Sequence, residues 1–324
     1  MKSSWFVTAV LLTGSLASAQ ANPPTPQGPA PSKPSQAPVA TAGSQTGGST
    51  PAQPANQGHR MLQAKTQDEM KAYQDAAAIT DAAQLLAASD AFAAKYPASE
   101  LRSALYIRAM DMYAQQNNVE KIVDAGRKAI AADPINPVPL VQVASALAES
   151  TRDTDLDRDP RLNEAAKDAQ AAIDNLETGL IIPPNAPADR VAEAKRSIVT
   201  MSYDTLGMVA MGKKDYAAAE QNFLKAVDAT KAAPEAVVYL RLSVAQDQQK
   251  KYPQALESAN KAAQYAPEGS PAQNLAKQQQ LRLQKLIAAG SSPGGTSAAP
   301  TATTPSGTPA TAPPTPTPPA TPPK

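Results

Sequence analysis

Two stretches of this chain repeat each other at an interval of 36 residues. Tyr216, Ala219, Phe223 and Ala226 return as Tyr252, Ala255, Ala259 and Ala262. The segment before each block echoes too: Tyr203, Leu206 and Gly207 return as Tyr239, Leu242 and Ser243. Self-similarity at such a period marks an array of stacked helical hairpins. One hairpin cannot bury its own apolar face, so neighbours must cover it, and the chain grows as a row of repeats. Arrays of this kind offer extended binding surfaces.

The rest of the foldable chain fits the same plan less regularly, and helices alternate with short turns from residue 60 to 290. A first hairpin is expected over Met61–Ile79 and Asp81–Tyr96. The second begins at Leu101, with Tyr106, Ala109 and Tyr113 on its first helix and Ile122, Gly126 and Ala129 on its second, ending at Asp133-Pro134. The third pairs Val138–Glu149 with Pro160–Leu176 across a charged insert, and Asp159-Pro160 reads as an N-cap followed by proline at the first helical position. A long helix over Ala188–Met211 opens the fourth and should break at Gly212. The fifth spans Glu235–Tyr265. A last helix, Pro271–Ala289, sets Leu275, Leu283, Leu286 and Ile287 as its apolar stripe, as a capping helix for the array requires. All twelve prolines of residues 60–290 fall at helix ends or turns in this scheme, where they cost little.

These residues resemble the tetratricopeptide repeat (TPR) family, whose pattern is W-x2-L-G-x2-Y, then A-x3-F and a closing proline. The fourth copy matches with Tyr203, Leu206, Gly207, Ala210, Ala219 and Phe223. The fifth matches with Tyr239, Leu242, Ser243, Gln246, Ala255, Ala259 and Pro267, and the second with Tyr106, Ala109, Met110, Tyr113, Ile122, Gly126 and Pro134. The chain departs from the family at Met110 and Ile122, where small residues are usual. The resemblance implies an all-α, right-handed superhelical solenoid of about five hairpins plus a capping helix. It also implies a concave side that takes an extended peptide or a partner helix, and envelope scaffolding as the role of secreted bacterial members. The family's carboxylate-clamping Lys, Asn and Arg do not occur at the matching slots, so that activity does not carry over.

Composition bounds the ends of the chain. Of 32 prolines, nine fall in Pro23–Pro54 and eleven in Pro293–Pro323, among Ala, Thr, Ser, Gly and Gln. Such segments bury too little apolar surface to offset chain entropy. We therefore expect a signal peptide over 1–19, a Pro-rich linker over 20–59, a repeat domain over 60–290 and a Pro/Thr/Ala-rich tail over 291–324. Lys2, the apolar run Trp5–Leu16 and Ala17-Ser18-Ala19 have the order of a cleavable export signal. Retention as an anchor is the alternative, against which the run is too short to span a bilayer. The expected address is periplasmic or extracellular, without stable membrane insertion after cleavage.

Chemistry finds little to work with. Cysteine is absent, and His59, the only histidine, sits in the linker, so thiol catalysis and His-dependent triads have no place in the domain. No glycine-rich phosphate loop occurs. All 29 acidic residues lie within 60–290 together with 26 of the 30 basic ones, apart from Arg60 at its edge, the signs interspersed. Nucleic acid, which wants a clustered basic face, is not an expected partner. We expect no enzyme activity and no cofactor.

Two sets of residues remain as candidate sites. First-helix positions pointing away from the packing stripe are Ile107 and Asp111 in copy two, Met201, Asp204, Met208 and Met211 in copy four, and Val237, Leu240, Val244 and Asp247 in copy five. A methionine-rich, mostly apolar groove suits an amphipathic helix or apolar strand, because thioether side chains adapt their shape. The plain alternative is packing against the next repeat. Separately, Asp153, Asp155, Asp157 and Glu164 have the spacing of an EF-hand-like calcium loop. Arg158 replaces its turn glycine and Pro160 lies inside it, so a solvated loop is the competing reading. The expected function is a non-enzymatic scaffold gripping a partner's peptide or helix. The alternatives are a structural spacer or oligomerisation module, then a calcium-regulated module or an enzyme.

Overall fold

A computed structural model describes residues 60–183 and 185–290; the expected signal, linker and tail lie outside them. Twelve helices follow one another, and among the described residues there is no strand, only an isolated parallel bridge between Arg60 and Ile181. Five hairpins are formed by α1 (Gln67–Ala77) with α2 (Ala82–Lys95), α3 (Leu101–Gln115) with α4 (Val119–Ala132), α5 (Pro137–Ser150) with α6 (Arg158–Asp174), α8 (Ala188–Gly212) with α9 (Tyr216–Ala229), and α10 (Ala236–Gln248) with α11 (Tyr252–Tyr265). The single turn α7 (Leu176–Gly179) follows α6, and α12 (Pro271–Gly290) closes the row. The principal contacts join successive helices and, between hairpins, successive first helices such as α5 with α8 and α10 with α12. The protein is an all-α helical-repeat solenoid.

Three of the hairpins turn in the same way. Asn117, Lys214 and Lys250 have φ of 57°, 61° and 60°, each one residue before the second helix's N-cap. The next N–H reaches back to a carbonyl five residues earlier: Asn118 to Tyr113 at 3.0 Å, Asp215 to Ala210 at 2.9 Å, Lys251 to Gln246 at 3.0 Å. This is the Schellman closure, which satisfies carbonyls that a helix end would leave open. The fourth hairpin therefore turns at Lys214. Gly212, expected to break the helix, is the last residue of α8, and Leu162 packs over its missing Cβ.

Other boundaries also differ from expectation. Residues 61–65 are not helical. Thr66 caps α1 by accepting from the Glu69 N–H at 3.1 Å, while the Glu69 carboxylate accepts from the Lys65 N–H at 2.7 Å. That reciprocal pair is a variant of the capping box, and it starts the helix six residues later than the apolar pattern suggests. Leu62 and Ala64 still pack on the core from an extended path. Helix α6 begins at Arg158 with Asp157, not Asp159, as its N-cap. Proline at its third position breaks no bond, because the first N–H to find an intrahelical partner is that of Arg161, bonded to the Asp157 carbonyl at 3.0 Å. On α12 the buried face is Ala272, Ala276 and Leu283; Leu275 faces outward, and Leu286 and Ile287 are half-buried.

The core divides into four clusters along the row, and α8 belongs to three of them. Val209 and Leu206 join the large N-terminal cluster around Leu85, Leu105, Met110 and Leu147. Ile198 and Met201 join Leu140, Val141 and Leu180. Ala210, Met208 and Met211 join Phe223, Leu242 and Ala245. Two glycines set close approaches. A Cβ on Gly207 would lie 2.4 Å from the Phe223 ring, and one on Gly179 would lie 1.8 Å from the Ile135 carbonyl oxygen, so α7 docks directly on the α4–α5 turn.

Candidate binding wall of the first helices

The ten residues expected to line a groove fall on α3, α8 and α10. Ile107, Asp111, Met201, Met208, Met211, Val237, Leu240 and Val244 are half-buried, whereas Asp204 and Asp247 are buried. Met208 and Met211 give part of their surface to the Phe223 cluster, Met201 to the Leu140 cluster and Ile107 to the N-terminal one. For these four residues packing thus uses one side and leaves the other.

The acids are what joins the helices. Asp111 on α3 has Gln142 on α5 as its hydrogen-bond partner. Burial pushes the Asp111 carboxyl up to about 7, against the opposing pull of that bond and of Arg108. Arg241 on α10 binds Asp204 on α8 through one guanidinium nitrogen and Glu149 on α5 through another, the latter at 3.2 Å. Burial also raises Asp204, to about 6; Arg241 opposes this, and Glu149 and Glu235 add to it. Asp247 accepts from Gln279 at 3.1 Å and from Arg282, both on α12. These contacts link α3, α5, α8, α10 and α12 into a continuous polar seam among the half-exposed apolar residues. The wall is therefore more acidic and more self-paired than a methionine groove.

Two further features of the seam stand out. The Asp204 Oδ1 and the Oγ1 of Thr200 are buried with no hydrogen-bond partner. Thr200 precedes Asp204 by four residues, which puts both on one face of α8. Ser202 and Thr205 on the same helix also carry unpartnered hydroxyls. Reading from sequence missed Gln142, Glu149, Thr200, Arg241 and Arg282. Thr200 could have been found by helical spacing from Asp204. Arg241 lies 37 residues beyond Asp204, close enough to the repeat period to place it on the next first helix.

The acidic insert is arranged differently from a calcium loop. Asp155 accepts from the Arg152 N–H at 2.8 Å, Asp153 from Arg158 at 3.3 Å, and Glu164 takes a bidentate pair of 2.7 Å bonds from Arg127. Asp157 lies 3.7 Å from Arg161. Among the described residues no three acidic or histidine side chains are grouped to hold a metal ion. The arginines instead tie the hairpin's ends together. Arg161 donates to Thr151 at 3.0 Å and to Ser150 at 2.6 Å, and Arg158 donates to the Gly212 carbonyl at the end of α8.

Fold and wall together define a helical-repeat protein with a continuous first-helix surface. No protein-family model matches the chain, and no curated protein does. Among solved structures it is similar to MamA, at 17% identity over 57% of this chain and 88% of that one, with a TM-score of 0.37. It is similar to BtubC (BKLC) from P. vanneervenii at 15% identity, 69% of this chain and 92% of that one, TM-score 0.39. It is similar to the TPR domain of P58(IPK) at 13% identity, 68% of this chain and 56% of that one, TM-score 0.26. These scores are too low for any of the three to bear on the site. Among the described residues no helix is long and apolar enough to cross a membrane.

Proposed function

We propose that this protein is a non-enzymatic scaffold that holds a peptide or helix of a protein partner against the wall of its first helices. The observation that carries this is the continuity of that wall: side-chain bonds join four successive first helices and the closing helix α12, and seven apolar residues, Ile107 to Val244, remain half-exposed along them. Burial of those residues by a partner supplies affinity, and the polar seam fixes register. Export belongs to the same reading. It would leave a mature protein without Trp5, the sole tryptophan, so the purified protein from its native source should lack tryptophan emission.

The test is site-specific photocrosslinking in cells that make the protein. A crosslinker at Leu240 should capture a protein that one at Leu224, exposed on α9, does not. Met208→Glu and Leu240→Glu should each abolish that capture, and a partner retained by both variants would end the proposal. A second reading, self-association, is favoured by one observation: Leu275 and Leu281 are 47% and 60% exposed on the last helix. Light scattering of the wild type and Leu281→Glu separates it from the first.

A further inference from the structure

The node around Arg241 is unbalanced. One guanidinium serves Asp204 and Glu149, and a third carboxylate, Glu235, acts on both Arg241 and Asp204. Glu235 occupies the N-cap position of α10 yet makes no capping hydrogen bond. Three acids around one base leave a local charge near −2. In the adjacent node Asp247 has Arg282 and the Gln279 amide to itself.

Hydrogen-bond accounting points the same way. Asp204 is 9% exposed and Thr200 3% exposed, and each keeps a buried oxygen with nothing donating to it. Buried acceptors are nearly always satisfied, and a lone one is destabilising. Four residues apart on α8, the two side chains share one face of the helix, and Asp204 is the one that meets Arg241. What is missing there is therefore positive and rich in N–H donors. Among the described residues no three ligating side chains stand close enough together to hold a metal ion, so the acceptors are spaced apart. A polyatomic cation fits well: an ammonium brings three donors and a guanidinium five. Glu149 and Arg241 remain 45% and 27% exposed at their side chains, so the rim of the node is reachable from solvent.

We propose that Asp204, Glu149 and Glu235, with Thr200 beneath them on α8, form a socket for one lysine or arginine side chain of the segment bound on the wall. This rests on the binding-wall reading above and names the chemistry that the partner must carry. Charge-assisted hydrogen bonds shielded from water are the strong kind, so one correctly placed cation would set both register and selectivity.

The experiment is selection of a random 12-residue peptide display library on the full chain, followed by affinity measurements on synthetic peptides. Enriched sequences should share one basic residue at a fixed distance from apolar ones. Replacing that residue with norleucine should weaken binding roughly tenfold. Glu149→Gln and Glu235→Gln, both at solvent-reachable positions, should weaken the basic peptide severalfold and leave the norleucine peptide unchanged. Asp204→Asn should do the same more strongly, with circular dichroism as the check on folding; should it unfold, the two glutamine variants decide. Enrichment with no shared basic position, or equal affinity for the lysine and norleucine versions, overturns the socket and leaves the wall standing. Failure to enrich any sequence overturns both.

Discussion

Hairpins four and five solve one packing problem in opposite ways. At the position 36 residues apart on their first helices, one has Gly207 and the other Ser243; on their second helices, one has Phe223 and the other Ala259. In hairpin four the ring fills the space that a Cβ on Gly207 would invade at 2.4 Å. In hairpin five the small Ala259 leaves room, and the Ser243 hydroxyl spends it on a 2.7 Å bond to the Ala255 carbonyl. Hairpin two reverses the first solution, with Met110 on its first helix and Gly126 facing it, where a Cβ would lie 2.9 Å from the Met110 sulfur. Phe223, Ala259 and Ser243 are all fully buried. The repeat pattern is thus a rule about complementary volumes across a contact: a glycine faces the large ring or thioether, and a serine can face an alanine.

Exchanging the two solutions is the strongest way to break this comparison. Phe223→Ala should cost roughly 3–5 kcal/mol as a core cavity. Gly207→Ser alone should cost about 1–3 kcal/mol by overpacking. If the volumes are coupled, the double variant, which copies hairpin five into hairpin four, should be more stable than the sum of the single losses by at least about 1 kcal/mol. Urea denaturation of the four proteins measures this, and strict additivity would remove the volume rule.

The wall acids give a second contrast, in pH. On the wall Asp111 at about 7 and Asp204 at about 6, and on α6 the buried Asp168 at about 6, all titrate above their unfolded value near 3.8, with burial as the first cause in each. Between those limits the native state holds more protons than the unfolded one, so stability falls as pH rises. The opposite sign belongs to Glu257, held below 4.5 by Lys261, and to Glu220, held below it by Lys251, Gln249 and Gln246 against burial; their contribution is lost only in more acidic solution. Thermal melts should therefore give a Tm higher by a few degrees at pH 5 than at pH 8. Asp204→Asn should flatten part of that slope, and a Tm that climbs steadily from pH 5 to 8 would contradict the assignment.

Smaller effects sharpen the same comparison. Ser243→Ala should cost about 1 kcal/mol through its lost hydrogen bond, while Gly207→Ala costs more through its clash. The turns, in contrast, are shared. Lys214→Gly and Lys250→Gly should each stabilise by roughly 0.5–1 kcal/mol, equally in both hairpins, because glycine accepts positive φ without steric cost. Unequal gains would mean that the two turns are less alike than their angles.

What the sequence made legible followed from spacing. Helices α2, α4, α9 and α11 lie where apolar periodicity, caps and closing prolines put them, because those signals are local. The misplaced boundaries had other causes. Residues 61–65 carry a helical apolar pattern, but the cap formed by Thr66 and Glu69 stops the helix short. Leu275 matches the repeat position of Tyr239, yet among the described residues no helix follows α12 to cover it. The wall's apolar residues could be proposed from helix faces alone. Its bonds could not: Arg241 reaches Glu149 across 92 residues, and nothing in either neighbourhood announces the pairing.

Arg60 holds both carboxylate oxygens of Asp133, at 2.7 and 2.8 Å, and bridges Ile181, far along the row from α1, where the chain goes next. Mechanically this is a shunt. Tension applied at residue 60 is borne first by a clip of one guanidinium nitrogen on the α4–α5 turn, in the middle of the molecule, and the opening hairpin carries no load until that clip lets go.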